Sequence, residues 1–66
     1  MNNTIRVARA EARMTQQELA EATGVSRQTI NAIESGKFVP STLLALKIAR
    51  TFGKQVEDIF SLEEGE

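Results

Sequence analysis

The chain has 66 residues, no cysteine, no histidine and a formal net charge of −1. A chain of this length forms one small domain, and without those two residue types it has neither disulfides nor Cys/His metal sites. No apolar run approaches the ~20 residues of a membrane span, and charged residues interrupt the N-terminal stretch where a signal peptide would lie. We therefore expect a single cytoplasmic domain over residues 1–66, with no membrane association, metal or cofactor.

The charge is unevenly distributed along the chain. Residues 1–54 hold all eight Lys and Arg residues and four acidic residues, which gives a net charge of +4. Residues 55–66 hold five acidic residues and no base. This asymmetry favours a body that faces phosphate groups, whereas the acidic tail over 61–66 is equally typical of a solubilising terminus.

Capping and stop signals divide the chain into helices. Thr15 is followed three residues later by Glu18, which predicts a capping box, and Gly24 ends the helix that follows. Ser26 and Ser41 are N-caps of two later helices. The predicted helices cover residues 5–13, 16–23, 27–35, 42–52 and 56–60. The fold class is therefore all-α, a compact five-helix bundle, whose ends over 1–4 and 61–64 could pair as a small β-ribbon.

Apolar residues at helical spacing predict one shared core. Its expected members are Ile5, Ala8, Met14, Leu19, Ala20, Val25, Ile30, Ile33, Leu44, Ile48, Ala49, Phe52, Ile59 and Phe60. Other apolar residues lie off these stripes, and a cluster of them on the surface would indicate a partner interface. The alternative is that they enlarge the core or are singly exposed, which is ordinary. We expect a homodimer contact formed by Val56, Ile59, Phe60 and Leu62.

The stretch from Thr15 to Lys37 carries the functional signal. Two short amphipathic helices meet at Gly24, with apolar residues on the shared inner side. Arg27, Gln28 and Asn31 are left on the outer side of the second helix. This layout is typical of a helix-turn-helix that presents its second helix to the major groove of DNA. The motif spans residues 16–35.

Four sequence elements occur in order along almost the whole chain. They are R-A-E-A-R-M-T-Q-Q-E-L-A from Arg9, T-G-V-S-R-Q-T-I-N-A-I-E-S-G-K from Thr23, P-S-T-L-L-A-L-K-I-A-R-T-F-G from Pro40 and V-E-D-I-F from Val56. With these elements the chain resembles the Cro- and phage-repressor-like helix-turn-helix proteins, the xenobiotic-response-element (XRE) family, and most closely the small dimeric cytolysin-regulator type. The resemblance implies a lambda-repressor-like fold and homodimeric binding to double-stranded operator DNA.

The resemblance also implies roles for individual residues. Arg27 can place two N–H groups on guanine, and Gln28 can pair with adenine. The expected base contacts are Arg27, Gln28, Asn31 and Ala32. The expected DNA backbone contacts are Gln16, Ser26, Thr29, Lys37 and Phe38, with the amides and lysine of the loop from Ser35 gripping phosphate. Arg9 and Glu34 match a family ion pair between the first and third helices.

Other functions remain as alternatives. An enzyme is disfavoured because histidine, cysteine and tyrosine are absent and the carboxylates lie on solvated faces. The stronger alternatives are a helix-turn-helix module that binds protein instead of DNA, and the antitoxin of a toxin–antitoxin pair. No small-molecule ligand is evident. We expect a sequence-specific transcriptional regulator that binds a palindrome, with repression the expected sign of regulation.

Overall fold

The computed structural model describes all 66 residues and contains the five expected helices. They are α1 (Ile5–Ala12), α2 (Gln16–Thr23), α3 (Arg27–Glu34), α4 (Thr42–Thr51) and α5 (Val56–Ile59). Two short strands, β1 (Asn2–Asn3) and β2 (Phe60–Ser61), pair in antiparallel fashion. The predicted all-α class with a small terminal ribbon is confirmed.

The N-caps lie where the sequence predicts them. The Thr15 Oγ1 accepts the amide of Glu18 at 3.0 Å, and the Glu18 carboxylate accepts the amide of Thr15 at 2.9 Å. Ser26 and Ser41 accept the amides three residues ahead at 3.1 and 3.2 Å. Each bond satisfies a donor that the first helical turn leaves unpaired, so α2, α3 and α4 begin at defined residues.

The capping box gives a prediction about stability and pH. The hydrogen bond from the Thr15 amide is the main cause that lowers the pKa of Glu18 below its usual 4.5. A lowered folded-state pKa adds stability above pH 4.5 that is lost as the pH falls through the folded value. Thr15→Ala should lower the free energy of unfolding by about 1 kcal/mol at pH 7.

Thermal melts across pH check this prediction. Glu18→Gln keeps the capping hydrogen bond but cannot titrate, so its melting temperature should fall less between pH 5 and 3 than that of the parent chain. Glu21→Gln, which is exposed and does not cap α2, is the matched control. Equal acid sensitivity of the Glu18 and Glu21 variants would contradict the role assigned to Glu18.

Four helix ends fall one residue before the predicted position, including those of α3 at Glu34 and α4 at Thr51. The first helix ends at Ala12, because Arg13 adopts a left-handed conformation with φ of 54°. The last helix ends at Ile59, because Phe60 is extended and pairs with Asn3. The ribbon accordingly begins one residue earlier than the predicted 61–64 segment and is only two residues long on each side.

Eleven buried hydrophobic residues form one core. They are Ile5, Ala8, Leu19, Ala20, Ile30, Ile33, Leu44, Ile48, Ala49, Ile59 and Phe60. The other predicted members, Met14, Val25 and Phe52, are partly buried and pack against it. The second helix packs on both α3 and α4, and Ala20 is fully buried there. This packing fixes which side of α3 faces solvent.

Candidate nucleic-acid interface

The outer face of α3 is polar and solvent-exposed. Ile30 and Ile33 are buried on its inner side, and the helix periodicity turns Arg27, Gln28 and Asn31 outward. Ala32 is only partly exposed, at the edge of the same face. Arg27 and Gln28 make no side-chain hydrogen bond or ion pair within the chain, so their donors and acceptors are free.

Two hydroxyl groups lie at the beginning of α3. The Ser26 Oγ accepts the amide of Thr29 and lies 2.9 Å from the Thr29 Oγ1. One hydroxyl must donate to the other, which leaves one O–H of the pair free to donate outward. The amides of the first helical turn point the same way and favour an anion.

The N-terminus of α2 lies against the same face. The Asn31 Nδ2 donates to the Gln16 Oε1 at 3.5 Å, so the two side chains are neighbours across the helix pair. Gln16 is partly buried and Gln17 is exposed. Because they are the first residues of α2, their amides have no acceptor within the helix. The starts of two helices thus converge beside Asn31.

The loop after α3 differs from the expectation. Its amides were expected to grip phosphate, but the amides of Lys37 and Phe38 both donate to the Ala32 carbonyl, at 2.9 and 3.2 Å. The amides of Ser35 and Gly36 donate to carbonyls of α3 as well. These internal bonds satisfy the end of α3 and leave the exposed Lys37 ammonium as the loop's remaining phosphate donor. Phe38, with 49% of its surface exposed, can offer its ring but not its amide.

The predicted ion pair between Arg9 and Glu34 is present. The Arg9 Nε and Nη2 donate to the two carboxylate oxygens of Glu34 at 2.6 and 3.0 Å. The Glu34 side chain is only 1% exposed. These hydrogen bonds raise the pKa of the Arg9 guanidinium above its usual value despite its partial desolvation. Glu34 therefore points inward and does not repel a polyanion from the outer face.

Sequence reasoning missed the polar contacts that surround this pair. Arg9 also donates to the Met14 carbonyl at 3.0 Å, beyond the end of α1. Gln16 donates to Glu34 at 3.4 Å, and the Asn3 side chain donates to the Ile33 carbonyl at 2.9 Å. These partners are 5 to 30 residues apart, so no local pattern pointed to them. They tie β1, α1 and α2 to the C-terminal half of α3.

The residues predicted for a dimer contact separate into two groups. Ile59 and Phe60 are only 2% and 7% exposed, because both belong to the core, and they leave little surface for a partner. Leu62 is 71% exposed, and Val56 is partly buried. Val56 and the edge of Phe60 line a groove of ≈ 380 Å³ with six other residues: Met1, Val39, Pro40, Thr42, Ala45 and Leu46.

No three acidic residues are grouped so that they could hold a metal ion. None of the helices has the length and apolar character needed to cross a bilayer.

Comparison with known proteins assigns the chain to a family. A helix-turn-helix family model matches residues 5–59. An uncharacterised HTH-type transcriptional regulator of Methanocaldococcus jannaschii is 53% identical over 66 residues, which is the full length of both chains. The YgzD protein of Bacillus subtilis, of the same description, is 50% identical over 64 residues and 97% of each chain. The chain belongs to the XRE-type helix-turn-helix family of DNA-binding transcriptional regulators, which is not a family of enzymes.

Solved structures agree with this assignment. The clp gene regulator ClgR from Corynebacterium glutamicum matches with a TM-score of 0.77 and 33% identity. The match covers 82% of this chain and 57% of that one. A second structure of ClgR matches with a TM-score of 0.74 at the same identity and covers 70% of its chain. The shared part has the same fold.

Proposed function

We propose that this protein is a sequence-specific repressor that binds a palindromic operator as a homodimer. The observation that carries the proposal is the outer face of α3, where Arg27 and Gln28 are exposed and unpaired. A recognition helix inserted in the major groove needs such side chains near its N-terminus. Arg27 offers two donors to guanine, and Gln28 offers a donor and an acceptor to adenine.

Phosphate contacts would hold the helix in register. Gln16, Ser26 and Thr29 lie at the two helix N-termini that border the outer face, and Lys37 adds an exposed positive charge beside it. Contacts of this kind fix orientation without reading sequence. Binding should weaken steeply with salt, because each neutralised phosphate releases condensed counterions.

Two copies would extend the recognised site. A single helix contacts only a few base pairs, whereas a symmetric dimer reads two half-sites about one helical turn apart. Leu62 is 71% exposed and follows β2 two residues after Phe60, which lines the groove together with Val56. We therefore place the dimer contact at Leu62, Val56 and the groove, with Ile59 and Phe60 supporting it from beneath.

Leu62→Glu tests this dimer contact. Burying a leucine contributes about 1.5–3 kcal/mol, and the substitution acts in both copies, so the dimer dissociation constant should rise at least about tenfold. Sedimentation equilibrium at tens of micromolar protein measures it. Val7→Glu is the control, because Val7 is 59% exposed and lies in α1, outside the C-terminal segment to which the contact is assigned. A monomeric parent chain, or equal effects of the two variants, would contradict the assignment.

Repression is the sign of regulation that requires the fewest additional contacts. A bound dimer that overlaps a promoter blocks polymerase by occupancy alone and needs no additional contact. Operator binding would place the protein with the chromosome, in the cytoplasm of a prokaryotic cell. A reporter gene with the selected site inside its promoter should lose expression when the protein is supplied.

Selection of bound sequences from random duplex DNA tests the whole proposal. We expect an enriched palindrome whose half-site centres lie about 10 base pairs apart. Enrichment of a single half-site would reject the dimer but keep base reading. No enrichment at any salt concentration would favour the alternative of a helix-turn-helix module that binds protein instead of DNA.

A further inference from the structure

Three polar side chains connect the interior to the outer face of α3. The Glu34 carboxylate is buried and paired with Arg9. The Gln16 Nε2 donates to the Glu34 Oε1 at 3.4 Å, and the Asn31 Nδ2 donates to the Gln16 Oε1 at 3.5 Å. Both contacts are long, so each is weak alone. The Arg9–Glu34 ion pair anchors one end of this series of hydrogen bonds.

The carboxylate favours one orientation of each amide. An ionised carboxylate can only accept hydrogen bonds, so Gln16 must turn its NH₂ group toward Glu34. The Gln16 oxygen then faces Asn31, which must turn its own NH₂ group toward it. The carbonyl oxygen of Asn31 is consequently directed away from Gln16. An asparagine without this neighbour could present either end of its amide.

We propose that Gln16 is a positioning residue that makes Asn31 present its carbonyl oxygen to the duplex. This inference rests on the proposed function, because it assigns Asn31 to a base. In the major groove, adenine N6 and cytosine N4 are donors, whereas guanine O6 and thymine O4 are acceptors. Asn31 therefore selects a base that carries an exocyclic amine, and a side chain held in advance loses less freedom on binding.

The test compares Gln16→Met with Asn31→Ala on operators that vary at one base pair at a time. A lost phosphate contact at Gln16 would weaken binding to all operators equally. If Gln16 instead positions Asn31, replacing Gln16 removes the base preference at one base pair only. We expect both variants to lose about tenfold preference for an amine-bearing base at the same position, the discrimination that one good base contact supplies.

Two further measurements complete the test. Gln17→Met is the matched control, since Gln17 also begins α2 but donates to Glu21 instead. The double variant Gln16→Met, Asn31→Ala should lose no more preference at that position than Asn31→Ala alone. In the free protein, Gln16→Met should also shift the NMR resonances of the Asn31 side-chain amide, whereas Gln17→Met should not.

Specific results would overturn the inference. One is full retention of the preference by Gln16→Met at the base pair that Asn31→Ala affects. Another is an Asn31→Ala variant with unchanged preferences everywhere. If the parent chain shows no base preference at any position, the proposed function fails instead, and the Asn31 amide resonances still distinguish a held side chain from a free one.

Discussion

Alanine at both Arg27 and Gln28 should lower the affinity for the selected operator by roughly 30-fold or more, because each bidentate base contact contributes about 1–3 kcal/mol. Neither side chain is paired within the chain, so no partner is left unsatisfied in the free protein. The thermal melt should therefore stay close to that of the parent chain. Fluorescence anisotropy with the selected duplex and a scrambled duplex measures the change.

A charge control separates base reading from electrostatic attraction. Arg50 is an exposed residue of α4, so Arg50→Ala removes the same charge as Arg27→Ala without touching α3. We expect Arg50→Ala to leave the ratio of selected to scrambled affinity unchanged, while the double variant lowers that ratio by roughly 30-fold or more. An unchanged ratio in the double variant would mean that α3 does not read the bases.

Glu34→Ala should destabilise the fold by about 3–5 kcal/mol, the typical cost of removing one member of a buried ion pair. The Arg9 side chain, only 16% exposed, would keep its charge and lose both carboxylate oxygens. A chain of this length has a total stability of roughly 3–10 kcal/mol. The melting temperature should fall by at least about 12 °C, since each kcal/mol shifts it by about 4–8 °C in so small a domain.

The controls for Glu34 are another acidic residue and a paired replacement. Glu21 is exposed, and Glu21→Ala should change stability by no more than about 0.5 kcal/mol. The double variant Arg9→Met, Glu34→Leu should recover much of the loss, because apolar residues of similar size can replace a buried pair. A melt of Glu34→Ala that matches the parent chain would show that the ion pair does not stabilise the fold.

Helix starts could be predicted from the sequence because their causes are local. Thr15, Ser26 and Ser41 each cap through a bond to the amide three residues ahead. Helix ends were predicted less well. Arg13 ends α1 in a left-handed conformation. Glycine usually occupies such a position, so the sequence did not indicate that α1 ends there. Phe60 leaves α5 because it pairs with Asn3, a partner that no local pattern reveals.

The outer face of α3 followed from periodicity, but its surroundings did not. The buried positions of Ile30 and Ile33 determine which residues face outward, and the sequence contains that information. The Arg9–Glu34 pair came from family resemblance, since spacing alone does not pair residues 25 positions apart. The link from Glu34 through Gln16 depends on side-chain geometry, which only the structure provides.

The loop after α3 and the dimer contact show a second limit of prediction from the sequence. The family resemblance implied loop amides that bind phosphate, but the amides of Lys37 and Phe38 donate to the Ala32 carbonyl instead. Ile59 and Phe60 were apolar and C-terminal, which suits a core and an interface equally. Both were also predicted core members, and their burial there leaves little surface for a partner, which the apolar pattern alone did not reveal.

An NMR titration of the ¹⁵N-labelled protein with the selected duplex tests most directly whether α3 is the surface that meets DNA. We predict that the largest amide shifts fall at residues 16–17 and 26–32 and at Lys37, and that they shrink as salt is raised. Shifts confined to the groove around Leu46 and Val56, or no shifts at low salt, would contradict the account.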